Sequence, residues 1–264
     1  MKQMILGLVV TVLTSLPVLA DTLRLAVTTS FHNSGLADVL LPVIKEDIDL
    51  DVQLLVVGTG QAIKLGQQGD VDAILVHSRV AEDAFVAGGF GTHRREIMYN
   101  DFVFVGPKRN DPDLASAATA REALQRINAS EAMFVSRGDG SGTHAMELSL
   151  WEAAGIEPEG RWYKEAGAGM GAALNIAVGL NAYVLSDRAS WLNFSNKADL
   201  AIQFEGDPVL FNQYAFLPVS RAKHPHVKSD LVSKLEEWLV SDRAETLIDG
   251  YEIDGQALFV FNAR

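Results

Sequence analysis

The residues with the richest chemistry lie together, in the run Ser136-Arg137-Gly138-Asp139-Gly140-Ser141-Gly142-Thr143-His144. Ser141 and Thr143 offer hydroxyl donors, and Arg137 is the loop's one permanent cation, a planar fork suited to an oxyanion. The three glycines allow backbone N–H groups to approach a ligand with no Cβ between them. The run follows an apolar stretch, Met133-Phe134-Val135, that reads as a strand, and precedes a helical pattern marked by Met146, Leu150 and Trp151. A strand, a glycine loop and a helix start aim unpaired N–H groups and the positive end of a helix dipole at one point, where an anion fits. The plainer use of the same residues is an N-cap turn in which Ser141 satisfies its own helix and Arg137 lies in solvent.

Other chemistries fit less well. Position 139 is Asp, so the loop is not a Gly-x-Ser-x-Gly nucleophile elbow, and no Lys-Ser/Thr pair closes it as in a nucleotide-binding P-loop. Gly167-Ala168-Gly169-Met170-Gly171-Ala172 approximates a dinucleotide fingerprint, with Asp187 near the distance of the ribose-binding acid, but it lies mid-chain and reads as a tight helix start. The histidines are scattered rather than paired at i, i+4, so no metal site is expected; His77 and His144, beside the proposed loops, are given a supporting role.

The elements that must position this loop alternate strand and helix. Leu23 to Val27 reads as a strand running into Thr28-Thr29-Ser30, with a helix carrying Leu36, Val39, Leu40, Val43 and Ile44 on one face. Val52 to Val57 leads into Gly58-Thr59-Gly60-Gln61 and a short helix ending at Gly66; Ala73 to Val76 leads into His77-Ser78 and another helix. Three strands thus end in hydroxyl residues at helix starts, and in an open parallel sheet such loops converge on one crevice. Phe102 to Val105 reads as a strand leaving this unit. Lys108 to about Val209 repeats the alternation, with strands into the Arg137 loop, near Trp162, and over Ala182 to Leu185 before Ser186-Asp187-Arg188. Leu210 to Val219 carries the chain back, and helices with Leu231, Leu235, Trp238 and Leu239 pack on the first unit. Two crossings between two α/β units, near Phe102 to Gly106 and Asp207 to Asn212, make a hinged molecule with its site in the cleft.

The chain has 264 residues, no cysteine and a net charge of -12. Disulfides, thiolate metal sites and lipid attachment through cysteine are therefore excluded, and nucleic acid or an anionic membrane surface is disfavoured as partner. Lys2, the apolar run Met4 to Val12 and the small residues Val18-Leu19-Ala20 read as a secretory leader cleaved near Ala20. The apolar run is shorter than the roughly 20 residues of a spanning helix.

Thr28-Thr29-Ser30 with Ser34-Gly35-Leu36, Val57-Gly58-Thr59-Gly60-Gln61-Ala62, Leu75-Val76-His77, the Ser136 to His144 loop, Glu165-Ala166-Gly167-x-Gly169-Met170-Gly171 and Ser186-Asp187-Arg188 together resemble the TupA family, the periplasmic tungstate-binding proteins of ABC transporters. The resemblance spans the mature chain in order. It implies an α/β, two-lobed type II periplasmic binding protein, each lobe an α/β sandwich, that takes tungstate or molybdate in the cleft between its lobes and delivers it to an inner-membrane ABC permease. The expected division is 1-20 leader, 21-105 plus 210-264 lobe I, and 106-209 lobe II, in a periplasmic monomer with no cofactor, no cation ligands and no catalytic step. The expected anion donors are Thr29, Ser30, Thr59 and Ser78 from lobe I and Arg137, Ser141, Gly142, Thr143 and Arg188 from lobe II. Departures from the family pattern are Val27 for the first of three threonines, Ser78 for alanine, and Ala145-Met146 for two lysines, the last lowering the positive field at the cleft rim.

Two other readings remain open at this stage. A phosphate- or sulfate-binding protein of the same fold shares the Arg-x-x-x-Ser-Gly-Thr core, and Asp139 or Asp187 could accept the proton that phosphate retains. An exported phosphate-ester hydrolase would need Ser141 and His144 as nucleophile and base.

Overall fold

The computed structural model describes residues 22–263; the leader expected over residues 1–20 lies outside them. The chain opens with β1 (Thr22–Thr28), α1 (Thr29–Asn33), α2 (Leu36–Ile48), β2 (Asp51–Val57), α3 (Thr59–Gln68), β3 (Ala73–Val76) and α4 (Arg79–Ala87), then enters a long strand, β4 (Arg95–Pro107). A second unit follows: α5 (Ala120–Ser130), β5 (Phe134–Ser136), α6 (Gly142–Ala154), β6 (Tyr163–Glu165), α7 (Met170–Leu180), β7 (Tyr183–Asp187), α8 (Arg188–Asn193) and β8 (Leu200–Phe204). β9 (Phe211–Pro218) returns to the first unit, which α9 (Ser229–Leu239), α10 (Asp242–Asp249), the small hairpin of β10 (Glu252–Ile253) and β11 (Gln256–Ala257), and β12 (Val260–Phe261) complete.

The strands form a mixed sheet in the order β2-β1-β3-β9-β4-β7-β5-β6, with β12 and β8 also paired to β4. β2, β1 and β3 are mutually parallel, as are β7, β5 and β6, whereas β9 and β4 run antiparallel to their neighbours. β4 changes partner at one step: Asp101 pairs with Phe211 of β9, and Phe102 pairs with Asp187 of β7. β4 is also longer than its apolar segment implies. The polar run Tyr99-Asn100-Asp101 conceals a strand that continues back to Arg95, because its hydrogen bonds to β9 do not depend on side-chain hydropathy.

Alternation along the strands builds a core on each face. Leu23, Leu25 and Val27 of β1 pack with Leu36 and Leu40 of α2 and with Phe216, Leu235 and Trp238, while Ala26 on the opposite face joins Ile74, Phe85 and Leu217. In β4, Phe102 and Phe104 pack with Phe134, Trp151 and Tyr183, and Val103 and Val105 with Leu174, Val184 and Trp191. Each such fully buried side chain contributes about 1.5–3 kcal/mol, which lets a chain without disulfides stand on its cores. α3 runs two residues past Gly66, to Gln68, and ends on Gly69 at φ 76°. Gly66 answers to packing instead: a Cβ there would lie 2.9 Å from the Phe85 ring.

Candidate functional site

All six parallel strands are followed closely by helix starts, and the loops of the two units touch. An ideal Cβ on Gly142, the first residue of α6, would lie 2.6 Å from Cε1 and 2.8 Å from Nδ1 of His77, and 3.1 Å from Oγ1 of Thr59. Gly60 of α3 likewise faces the Gly140 carbonyl. Strand ends β2, β3 and β5 therefore meet at one point, with glycine where the backbones come closest.

The first unit's wall is a connected set of uncharged groups. Thr28 caps α1, its Oγ1 accepting from the Phe31 N–H at 3.2 Å and lying 3.0 Å from Ser30 Oγ. Ser30 Oγ is also 3.0 Å from His77 Nε2 and 3.3 Å from Tyr214 OH. The His77 and Tyr214 rings lie 4.8 Å apart, and Asn212, whose amide donates to Asn100 Oδ1 at 2.7 Å, sits beside them. Burial, with a smaller contribution from the Arg137 charge, pushes the His77 imidazole down to about 4. The turn bearing His77 is fixed from behind: buried Glu82 accepts the Ser78 N–H at 2.6 Å and pairs with Arg94 at 2.6 Å. Ser78 and Thr29 are half-buried at their helix starts, while Thr59 is buried.

The second unit's wall is ionic. Arg137 is 2 % exposed. Its Nε donates to the Ala168 carbonyl at 3.0 Å and its Nη2 to Asp139, leaving Nη1 without a hydrogen-bond partner among the described residues. Asp139 also accepts the Ser141 N–H at 3.1 Å. Burial opposes ionisation of Asp139, but hydrogen bonds from Ser141 and Arg137 and the Arg137 charge outweigh it and hold the carboxyl below its ordinary value. Gly138 and Gly140 adopt φ of 58° and 67°, which the loop needs to fold back over this pair. Ser141 caps α6 by accepting the His144 N–H at 3.2 Å, which leaves its own hydroxyl proton available. Helix geometry leaves the N–H groups of Gly142 and Thr143 with no intrahelical acceptor.

Behind this wall, buried Glu147 of α6 accepts from Trp151 Nε1 at 3.2 Å and Tyr163 OH at 2.8 Å, and burial pushes its carboxyl up to about 7. Asp187 is fully buried; its Oδ1 caps α8 through the Ser190 N–H at 2.8 Å, and burial pushes its carboxyl up. That capping role separates it from the ribose acid of a dinucleotide site, and Gly169 is the N-cap of α7, as the helix-start reading expects.

Thr59 Oγ1, His77 Nδ1 and Asp187 Oδ2 are buried with no hydrogen-bond partner among the described residues. Polar atoms so placed are exceptional in folded proteins, and here two of them face the head of α6. Uncharged donors on one side, a buried guanidinium and open helix N–H groups on the other, suit a small oxyanion. Among the described residues no group of three His, Asp or Glu is arranged to hold a metal ion. His144 Nδ1 accepts from the Gly140 N–H at 3.1 Å, so it is turned to the loop backbone, away from activating Ser141.

The Arg188 side chain, expected as a donor, is engaged by carboxylates. Its Nε donates to Asp101 at 2.8 Å and its Nη2 to Asp101 and Glu205, each at 2.6 Å, so it joins the strand leaving the first unit to the segment returning to it. Tyr214, the Asn100–Asn212 pair and Glu147 had no place in the sequence reading. A carboxylate on the apolar face of α6, and Asn212 on the same strand face as Tyr214 and Phe216, were the available signals.

The family model of the PBP superfamily domain matches residues 19–243. The tungstate-binding protein TupA of Peptoclostridium acidaminophilum is 43% identical over 244 residues, 90% of this chain and 85% of that protein. Among solved structures, the tungstate-binding protein TupA from Desulfovibrio alaskensis G20 is 42% identical with a TM-score of 0.81, covering 93% of this chain and 100% of that one. The tungstate ABC transporter structure from Geobacter sulfurreducens is 47% identical with a TM-score of 0.82, covering 88% of this chain and 99% of that one.

Proposed function

We propose a function from the premise that this chain belongs to the PBP superfamily and, within it, to the TupA family of tungstate-binding proteins: it is the solute-binding protein of an ABC transporter, not an enzyme. It captures tungstate, or molybdate, in the periplasm after export and presents it to the permease. The lobes are 21–105 with 210–264, and 106–209, hinged where β4 and β9 cross. The anion sits between the head of α6 and the ends of β1, β2 and β3, held by Arg137, Ser141, Gly142 and Thr143 from lobe II and by Thr29, Thr59 and Ser78 from lobe I. Ser30 shapes the same wall through its contacts with His77 and Tyr214. Arg188 acts at the crossings, because its fork is engaged by Asp101 and Glu205.

The observation that carries this reading is the meeting of unpaired buried polar atoms from the first unit with a buried arginine and a helix start from the second. An anion that bridges two lobes stabilises the form in which both touch it. Ser141 and His144 lack the mutual hydrogen bond a nucleophile and base require, which removes the observation that favoured a hydrolase. A calorimetric competition among tungstate, molybdate, sulfate and phosphate tests the assignment. Tungstate or molybdate should bind most tightly, and phosphate winning would overturn it.

A further inference from the structure

His77 lies at the junction of the lobes, yet the donor set above assigns it nothing. We propose that His77 is a specificity-determining residue that gives its Nδ1–H directly to the bound oxyanion, in a tautomer fixed by Ser30. This rests on the anion site argued above and adds to it a residue and a proton position.

The ring has one nitrogen on each side of the question. Nε2 is 3.0 Å from Ser30 Oγ. Nδ1 is buried without a partner, on the edge that faces Gly142 at the head of α6 and beside the equally unpaired Thr59 Oγ1. One assignment of donors satisfies every contact that Ser30 makes in this wall. Tyr214 OH can donate to Ser30 Oγ, since burial pushes the phenol up and keeps it protonated. Thr28 Oγ1 accepts from the Phe31 N–H and can donate its own proton to Ser30. Ser30 Oγ then accepts two bonds and donates its single proton to Nε2, which is the full capacity of a hydroxyl. With its lone pair at Nε2, the neutral imidazole carries its proton at Nδ1, toward the anion. The opposite tautomer would aim a lone pair at the anion.

Selectivity follows from what the ring withholds. In this tautomer His77 offers no acceptor to the ligand, so an oxyanion that retains a proton cannot place it on the ring, whereas a fully deprotonated one accepts from it.

The test uses the mature protein, tungstate and two substitutions. In His77→Asn the amide nitrogen lies near the place of Nδ1 and keeps a donor toward the anion. In His77→Gln it lies near the place of Nε2 and keeps the Ser30 contact without that donor. Calorimetry should show a tungstate Kd within about threefold of the unsubstituted protein for His77→Asn and raised at least about tenfold for His77→Gln, as expected for loss of a hydrogen bond to a charged partner. Nitrogen-15 spectra of the unsubstituted protein with tungstate should show a pyrrole-like Nδ1 and a pyridine-like Nε2, a readout that needs no variant to fold. Equal affinities for the two variants, tighter binding by His77→Gln, or a pyridine-like Nδ1 would overturn the inference while tungstate binding by the unsubstituted protein stood. Absence of tungstate binding by the unsubstituted protein would overturn the parent reading and this one with it.

Discussion

Lobe I and lobe II repeat one strand order and use opposite chemistry on it. From the outer edge inward, β2-β1-β3-β9 in the first is matched by β6-β5-β7-β4 in the second. Yet the first presents Thr28, Ser30, His77 and Tyr214, all uncharged and joined to one another, while the second presents Arg137 with Asp139, backed by Asp187 and Glu147. A hydrogen-bonded uncharged wall needs no counter-ion and can be rigid on its own. A buried guanidinium cannot, and Asp139 and the Ala168 carbonyl hold it in place. At the proposed anion site, this division would assign attraction to lobe II and shape selection to lobe I.

The sharpest way to break that division is to remove the charge. Arg137→Ala should weaken tungstate binding about 100-fold, near 3 kcal/mol, because a charge-assisted contact is lost and Asp139 is left facing the anion alone. Thr59→Val in lobe I should cost about tenfold or less by the same calorimetry. Equal losses would refute the separation of roles.

Closure comes next. A methyl at Gly142 would sit 2.6 Å from the His77 ring, inside van der Waals contact, so Gly142→Ala should hold the lobes apart. We expect at least about tenfold weaker binding, with an unliganded melting temperature near that of the unsubstituted protein. In small-angle scattering the fall in radius of gyration on adding tungstate, expected for the unsubstituted protein, should shrink.

Stability against pH is a separate readout, and the two lobes should respond in opposite senses. His77 has a folded value of about 4 against an ordinary 6.5, so the unfolded chain takes up the proton first and stability present above 6.5 is lost as pH falls toward 4. Glu147 has a folded value of about 7 against an ordinary 4.5, so the unfolded chain releases the proton first and stability falls as pH rises from 4.5 to 7. Each effect is at most on the order of 3 kcal/mol. Melting temperature measured across pH should show His77→Asn flattening the acid limb and Glu147→Gln flattening the rise in stability from pH 7 down to 4.5. A variant that leaves its limb unchanged would show that its group is not the source.

Much of this architecture was legible because strand ends and helix starts carry local signals. The β1 to β3 and β5 to β7 order, the hydroxyl residues at strand ends and the Ser141 cap follow from period and cap chemistry, and the resemblance to the TupA family carried the functional reading. What stayed hidden depends on contacts far apart in sequence. Tyr214 is 184 residues from Ser30, and Arg188 meets Asp101 across 87, so neither partner could be named from local pattern. Glu147 was obscured by its apolar neighbours Leu150 and Trp151, since helical period marks a buried face without saying that a carboxylate on it is satisfied by Trp151 and Tyr163. β8 and the full length of β4 escaped because their pairing rests on backbone groups, which every residue has.

Arg188 gives the closure proposed here a further property. One guanidinium holds Asp101 at the step where β4 changes partner and Glu205 just ahead of the turn into β9, so the two crossings share a clasp. Two independent tethers would let the lobes twist as well as bend. On the closure proposed above, tethers fastened to each other should resist a relative twist of the lobes more than two independent ones would, so that the walls of the site meet face to face.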